Sequence, residues 1–142
     1  MTGRRFDDVA VGEELPELAI EITATLIVAG AIASRDYQDV HHDEALARQR
    51  GTPGIFMNIL TTNGFVGRFV TDWAGPDAAV KSIAIRLGAP NLAGDTMRMT
   101  GWVTSASPGD REGVVEVEVV GRNSLGEHVT GTVTVALPAG SR

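Results

Sequence analysis

Cysteine is absent from the 142 residues. That excludes disulfides, thiolate metal sites and a cysteine nucleophile, and it fits a reducing, cytoplasmic setting. Long apolar runs are missing too. The longest, Leu26–Ala33, is far too short to span a bilayer. The first fifteen residues, MTGRRFDDVAVGEEL, hold no apolar segment of the kind a signal peptide needs. Basic residues are outnumbered: 12 Lys and Arg against 18 Asp and Glu leave a formal net charge of −6. With no basic stripe interleaved with aromatics, nucleic acid is not the expected partner. A phosphate-bearing small molecule stays open, because a few local cations suffice to hold one.

What is present is an ordinary globular composition, 43% hydrophobic and 21% charged, and a length that fits one domain over residues 1–142 with a core of its own. That core is expected to form around Ile55–Trp73, IFMNILTTNGFVGRFVTDW. At 100° per residue, Ile55, Phe56, Ile59, Leu60, Phe65, Val66, Phe69, Val70 and Trp73 spread over roughly 220° of a helical wheel. Thr61, Arg68, Thr71 and Asp72 collect in the remaining arc. A surface helix shows an apolar stripe nearer about 100° wide. The spread therefore predicts a long helix wrapped on most of its circumference, with its N-terminus as the expected seat of the chemistry.

The flanking segments supply the wrapper. Residues 1–16 read as irregular or as a strand edge. Glu17–Thr23 alternates like a short half-buried strand. Thr25 is placed to cap a short helix over LIVAGAIAS, and Asp43 to cap another over EALARQR that Gly51 stops. Thr52-Pro53-Gly54 reads as a turn into the long helix, which Gly75-Pro76 ends. Beyond it the period changes to two. Ile83, Ile85 and Leu87 share one face; Met97, Met99 and Val103, then Val115, Val117 and Val119, then Val129, Val133 and Val135 follow the same rule. His128 falls on the polar side of the last alternation. Asn123–Gly126 is a hairpin signal. The order predicts an α+β domain with an antiparallel sheet, its last four strands in a meander.

Ionisable groups concentrate in Ser34–Asp43, SRDYQDVHHD, which should be a loop. Asp36 lies five residues before His41, and a loop held against a buried helix can aim both at one water molecule. Histidine is the side chain that ordinarily titrates near neutrality, and a carboxylate beside it can orient it or share the proton work. A plainer account serves the same residues, with Asp36, Asp39 and Asp43 as turn formers or caps and His41 and His42 solvated. Asp36, Asp39, His41, His42 and Asp43 also offer metal ligands, but adjacent histidines diverge on most backbones and no HxH, HExxH or EF-hand spacing is present. Ser34 lacks the G-x-S-x-G setting of a serine nucleophile. Gly51 and Gly54 form no phosphate-binding pattern, and Arg86 and Arg98 sit in strand segments where solvation or pairing is the expected role.

ASRDYQDVHHDEALA followed by GTPGIFMNIL resembles the signature of the MaoC-like (R)-specific enoyl-CoA hydratases. In that family G-D-x-N-P-x-H-x-D is followed, about twenty residues on, by I-x-H-G-M. Asp36, His41 and Asp43 match the first string, and Leu87, Pro90, Gly94 and Asp95 match a later F-x-x-P-x-x-x-G-D. The RDYQDVHHD, NIL and VTDWAGP strings are similar to a branch of small subunits acting on steroid side-chain enoyl-CoA. Gln38 and Asp39 stand where the family has Asn and Pro, and Met57 and Asn58 where it has His and Gly.

The resemblance implies a hot-dog fold, an antiparallel sheet wrapped around a long central helix, and hydration of a trans-2-enoyl-CoA to a 3-hydroxyacyl-CoA. It implies Asp36 and His41 as the catalytic pair, and the Asn58 main-chain N–H as the donor to the thioester oxygen. No metal or further cofactor is implied, since CoA comes with the substrate. A second hot-dog chain is implied as partner, a different MaoC-like chain ahead of a second copy. Two alternatives accompany this expectation, a hot-dog acyl-CoA thioesterase and a non-catalytic scaffolding subunit.

Overall fold

The computed structural model describes residues 3–140. Five strands form one antiparallel sheet: β1 (Leu18–Glu21), β2 (Ala79–Leu87), β3 (Thr96–Ser107), β4 (Glu112–Asn123) and β5 (Gly126–Pro138). Three helices, α1 (Ala24–Ala33), α2 (Glu44–Gln49) and α3 (Ile59–Ala74), come between β1 and β2. Their order in the sheet is β1-β3-β4-β5-β2, and the sheet curls about α3 in the hot-dog arrangement.

The strands form where apolar and polar residues alternate. On β4, Val115, Val117 and Val119 are fully buried, with Glu116 and Glu118 between them on the other face. Met97, Met99 and Val103 on β3 and Val133 and Val135 on β5 join them against Val66, Phe69, Val70 and Ala74 of α3. Each such side chain contributes about 1.5–3 kcal/mol by leaving water, against about 1 kcal/mol for a helix cap. The sheet–helix interface therefore dominates the stability, and the caps decide where the helices begin. Gly101 is required here: a Cβ would sit 2.9 Å from the Phe69 ring and 2.6 Å from the Glu118 carbonyl.

The structure departs from the expectation in four places. The long helix starts at Ile59 rather than Ile55. Phe56 instead pairs with Leu92 as an isolated bridge, and the Met57 N–H donates to the Asn91 carbonyl at 3.0 Å. Ile55 and Met57 are buried from this extended segment, while Ile59 and Leu60 are half exposed. The fully covered stripe is thus Thr62, Val66, Phe69, Val70 and Ala74, narrower than the wheel suggested, because the apolar residues ahead of Asn58 were never helical.

Thr23, not Thr25, caps α1 by accepting the Leu26 N–H at 3.0 Å. Asp43 caps α2 as expected, accepting from the Leu46 N–H, and Gly51 follows it at φ +95°. The meander has three strands, not four. β2 pairs with β5 on the far edge, and its exposed, weakly alternating residues fit that place. Residues 88–95 must therefore cross from β2 at one edge to β3, beside β1 at the other, and on the way they run past the start of α3.

His128 is the fourth departure. Gly121 pairs with Val129 and Arg122 with Glu127, so His128 is the extra residue of a β-bulge. The bulge turns its side chain inward, 2% exposed, instead of onto the polar face.

Candidate functional site

The acid-rich loop is anchored at both ends. α1 closes with the Ser34 N–H on the Gly30 carbonyl, and Arg35 then adopts φ 55°. That left-handed turn is uncommon for a non-glycine residue and of the kind found at functional sites. It reverses the chain so that Asp36 faces the start of α3, its N–H bonded to the Ala31 carbonyl at 2.9 Å. The Asp39–His41 stretch makes one 3-10 turn, which carries His41 inward, 5% exposed. His41 lies edge-on to the Phe56 ring, 4.9 Å between centroids.

Asp36 Oδ2 and His41 Nε2 come to 3.3 Å. His41 Nδ1 donates to the Phe56 carbonyl at 2.7 Å, so in the neutral ring Nε2 carries the lone pair, directed at Asp36. Asn58 completes the cluster. Its Oδ1 accepts from the Thr61 N–H at 3.0 Å and from the Thr61 hydroxyl at 2.6 Å. Its Nδ2 donates to Ser34 Oγ at 2.9 Å and to Asp36 Oδ2 at 3.1 Å. The hydrogen bond from Asn58, the Gln38 N–H and the nearby His41 hold the Asp36 carboxyl below the ordinary carboxylate range, against a smaller upward push from burial.

The three residues share a cleft of about 340 Å³, lined also by Ile59 and Leu87 and, across it, by Pro90 and His128. Among the described residues no acceptor pairs with the main-chain N–H of Asn58 or Ile59. Free N–H groups at the positive end of a helix favour an oxyanion there. A larger groove of about 630 Å³ lies at the other end of α3, beside Arg4, Trp73 and Gly75. It holds no acid–base pair, so chemistry rather than volume distinguishes the smaller cleft.

The other polar residues of the loop go elsewhere. Asp39 forms a bidentate pair with Arg50, both contacts at 2.7 Å, which holds its carboxyl low. His42 Nε2 donates to the Tyr37 carbonyl, and Asp43 caps α2. For Asp43 the plainer account is the right one, whereas the Asp39 carboxylate is an ion-pair partner rather than a turn former or cap. Of the five candidate ligands only Asp36 and His41 come together, and among the described residues no three acidic or histidine side chains converge on a metal position. Ser34 donates its hydroxyl to the Gly30 carbonyl at 2.7 Å, and Arg98 pairs with Glu17 at 2.8 Å.

Two contributors escaped the sequence reading. The Asn58 side chain, taken there only as an occupant of a glycine position, is hydrogen-bonded to Asp36. His128 donates from Nδ1 to the Ala89 carbonyl at 2.7 Å and accepts from the Thr62 hydroxyl at Nε2, 2.8 Å away. Burial pushes its pKa below the ordinary 6.5, outweighing the Ala89 contact, so a neutral imidazole forms one wall. A bulge leaves no periodic signal, so nothing in the alternation pointed to it. Farther off, Asp95 accepts from the Ser124 hydroxyl at 2.6 Å and from the Thr96 N–H at 2.8 Å. That clamps the β4–β5 hairpin and thereby the loop bearing Pro90.

This architecture is shared with known proteins. The chain is 51% identical over 127 residues to the 3-oxo-4,17-pregnadiene-20-carboxyl-CoA hydratase beta subunit of Mycobacterium tuberculosis, covering 89% of this chain and 95% of that one. A chain of the ChsH1–ChsH2 complex from the same organism superposes with a TM-score of 0.84 at 51% identity, covering 90% of this chain and 98% of that chain. The R-hydratase PhaJ1 from Pseudomonas aeruginosa shares the fold at 18% identity, with a TM-score of 0.85 over 97% of this chain and 88% of that one. The family described as MaoC like domain matches residues 8–125. Since that stretch runs from ahead of β1 through the acid-rich loop, α3 and the Pro90 loop to the β4–β5 turn, the chain belongs to the MaoC-like domain family.

Proposed function

We propose that this chain is the catalytic subunit of a hydratase that adds water across a trans-2-enoyl-CoA thioester to give a 3-hydroxyacyl-CoA. The observation that carries the reading is the 3.3 Å approach of Asp36 Oδ2 and His41 Nε2, beside unpaired N–H groups at the start of α3. A water hydrogen-bonded to both side chains loses one proton to the pair as its oxygen attacks C3, and the pair returns one proton to C2. Negative charge reaches the thioester oxygen between these events. The Asn58 N–H, at the positive end of α3, is the proposed donor to it. No step requires a metal or redox group.

The likeness to the pregnadiene carboxyl-CoA hydratase subunit supports a bulky steroid side-chain thioester as the acyl group. The likeness to a chain of a two-component complex supports a different MaoC-like chain as partner. The cleft lining agrees with such a division of labour, for it contains no Lys or Arg to hold the CoA phosphates.

The test is to incubate the chain, alone and with MaoC-like partner chains, with an enoyl-CoA, following loss of the conjugated thioester absorbance and release of free thiol. Absorbance loss without thiol is the expected result. Thiol release makes the protein a thioesterase, and silence in every combination makes it a scaffold.

A further inference from the structure

We propose that the side chain of Asn58 is a positioning residue for Asp36, pinning Asp36 Oδ2 beside His41 Nε2 and tying that geometry to the first turn of α3. The inference deepens the hydratase reading at the same site and rests on it for its kinetic arm only.

The hydrogen-bond inventory fixes the orientation of the amide. Thr61 presents an N–H that needs an acceptor, so the atom facing it is Oδ1. Nδ2 then has two hydrogens and two acceptors, Ser34 Oγ and Asp36 Oδ2. Ser34 has its own hydrogen engaged with the Gly30 carbonyl, leaving its oxygen free to accept. Every polar atom of the 2%-exposed Asn58 side chain is thus satisfied, and none is left to swing toward substrate. The flipped amide would set an oxygen against both the Asp36 carboxylate and Ser34 Oγ.

The helix packing supports this lock. α1 meets α3 where Gly30 lies against Thr61, so closely that a Cβ on Gly30 would be 2.2 Å from Thr61 Oγ1. That contact brings the end of α1, bearing Ser34 and Asp36, onto the cap of α3. Where the family motif has glycine, only a main-chain N–H is on offer. Here the same residue also holds the acid.

Three titratable side chains line the cleft: Asp36, His41 from the 3-10 turn, and His128 from β5. Arg50 is committed to Asp39, and Arg35, next to Asp36 in the chain, is exposed and does not line the cleft. The Asn58 amide is therefore the neutral donor that favours the ionised form of Asp36.

The decisive variant is Asn58→Asp, which keeps the shape, the main-chain N–H and an oxygen to cap Thr61 but turns the Asp36 donor into an acceptor. It is compared with the wild type, each in complex with whatever partner activity requires. Carbon-13 NMR of the Asp36 carboxyl, assigned with Asp36→Asn, follows its titration. The expected result is an Asp36 midpoint raised by about 1–2 pH units. The acid limb of the kcat/KM profile moves with it, and kcat falls about 10²-fold with KM little changed. An unmoved Asp36 titration in a folded Asn58→Asp protein overturns the proposal, since a purely capping or main-chain role predicts that. Should Asn58→Asp fail to fold, Asn58→Ser retains a capping oxygen without a donor that reaches Asp36. Its Asp36 midpoint then returns toward the ordinary carboxylate value, and a midpoint still at the wild-type position overturns the proposal. A shifted titration in a protein that hydrates no enoyl-CoA upholds the positioning role and sinks the hydratase reading instead.

Discussion

His41 gives its Nδ1 hydrogen to the Phe56 carbonyl at 2.7 Å. Phe56 lies in the extended segment that bridges to Leu92, so the tautomer of His41 is set by the same backbone that delays the start of α3. The ring cannot rotate to present Nδ1 to Asp36 without giving up this partly buried hydrogen bond, a loss of about 0.5–1.5 kcal/mol. Nε2 is accordingly the nitrogen available for proton transfer.

Asp36→Asn and His41→Ala are each expected to lower hydration by roughly 10²–10⁴-fold, the scale of a lost acid–base group. Asn keeps the shape of Asp36 and should leave the melting temperature close to wild type. Ala at 41 removes the edge-on contact with Phe56, about 0.5–1.5 kcal/mol, and empties a buried site, so Tm should fall while the circular dichroism spectrum persists. Near-normal turnover by either folded variant removes the pair from the mechanism.

Asn58→Ala and Asn58→Pro separate the two parts of Asn58. Both lose the amide; only proline also loses the N–H, and the wild-type φ of −77° suits it. With the amide bonded to Asp36, alanine is expected to lose activity and proline to lose about 10²–10³-fold more, the usual scale for one oxyanion donor. Equal kcat values for the two variants would show that the main-chain N–H does not serve the thioester oxygen.

How much of this was legible in the chain depends on the range of the interaction. Strand alternation, the Asp43 cap, the Gly51 and Gly75 stops and the β4–β5 hairpin are local, and the structure has them where the sequence pointed. The pairing of Asp36 with His41 was legible through loop spacing and family resemblance. The start of α3 was not, because Ile55 and Met57 carry the same apolar character in a strand bridge as in a helix, and only pairing with Asn91–Leu92 decides. The placing of β2 on the far edge and the inward turn of His128 were equally hidden. The place of β2 is settled by β5, some forty residues or more along the chain, and the turn of His128 by a bulge against β4 that alternation does not register.

His128 predicts a pH-dependent stability. Its folded pKa is depressed and its unfolded pKa is the ordinary 6.5, so below 6.5 the unfolded chain binds a proton that the folded chain refuses. Stability then falls with pH, starting near 6.5 and continuing until the depressed folded value is reached. Above 6.5 the residue contributes no slope. Urea midpoints measured between pH 5 and 8 should show this decline, and His128→Gln should flatten it. A decline of equal steepness in His128→Gln would place its origin elsewhere.

Gly30→Ala tests the seam between α1 and α3. The added methyl meets Thr61 Oγ1 at 2.2 Å, and forcing a side chain into such a site costs about 1–3 kcal/mol. Helix propensity favours the change by up to about 1 kcal/mol, so a net loss of stability reports the clash. Activity should fall further than stability does, because Ser34 and Asp36 move away from Asn58 with α1. Combining Gly30→Ala with Thr61→Ser, which removes the Thr61 methyl but not its hydroxyl, should recover little. Combining it with Thr61→Ala should recover packing.

The last expectation concerns what covers the open surfaces of this chain. β1 and β2 are the two edges of the sheet, and β2 is nine residues long with Val80 40% and Leu87 39% exposed. An edge of that length with apolar side chains invites pairing, which soluble proteins ordinarily satisfy or block. Beside the cleft, Ile59 and Leu60 of α3 are 50% and 53% exposed, and Ile32 of α1 is 56% exposed. A second hot-dog chain laid against β2 and this end of α3 would cover the edge and could bring to the cleft the cations that its lining lacks. Light scattering on the chain expressed alone should therefore show more than a monomer, or a chain that associates when mixed with a MaoC-like partner. The heteromeric arrangement further predicts that hydration of a bulky enoyl-CoA rises sharply on mixing. A stable monomer that remains one beside every partner would refute the oligomer. A homodimer fully active on a bulky enoyl-CoA would leave Asp36, His41 and the chemistry in place while removing the need for a different subunit.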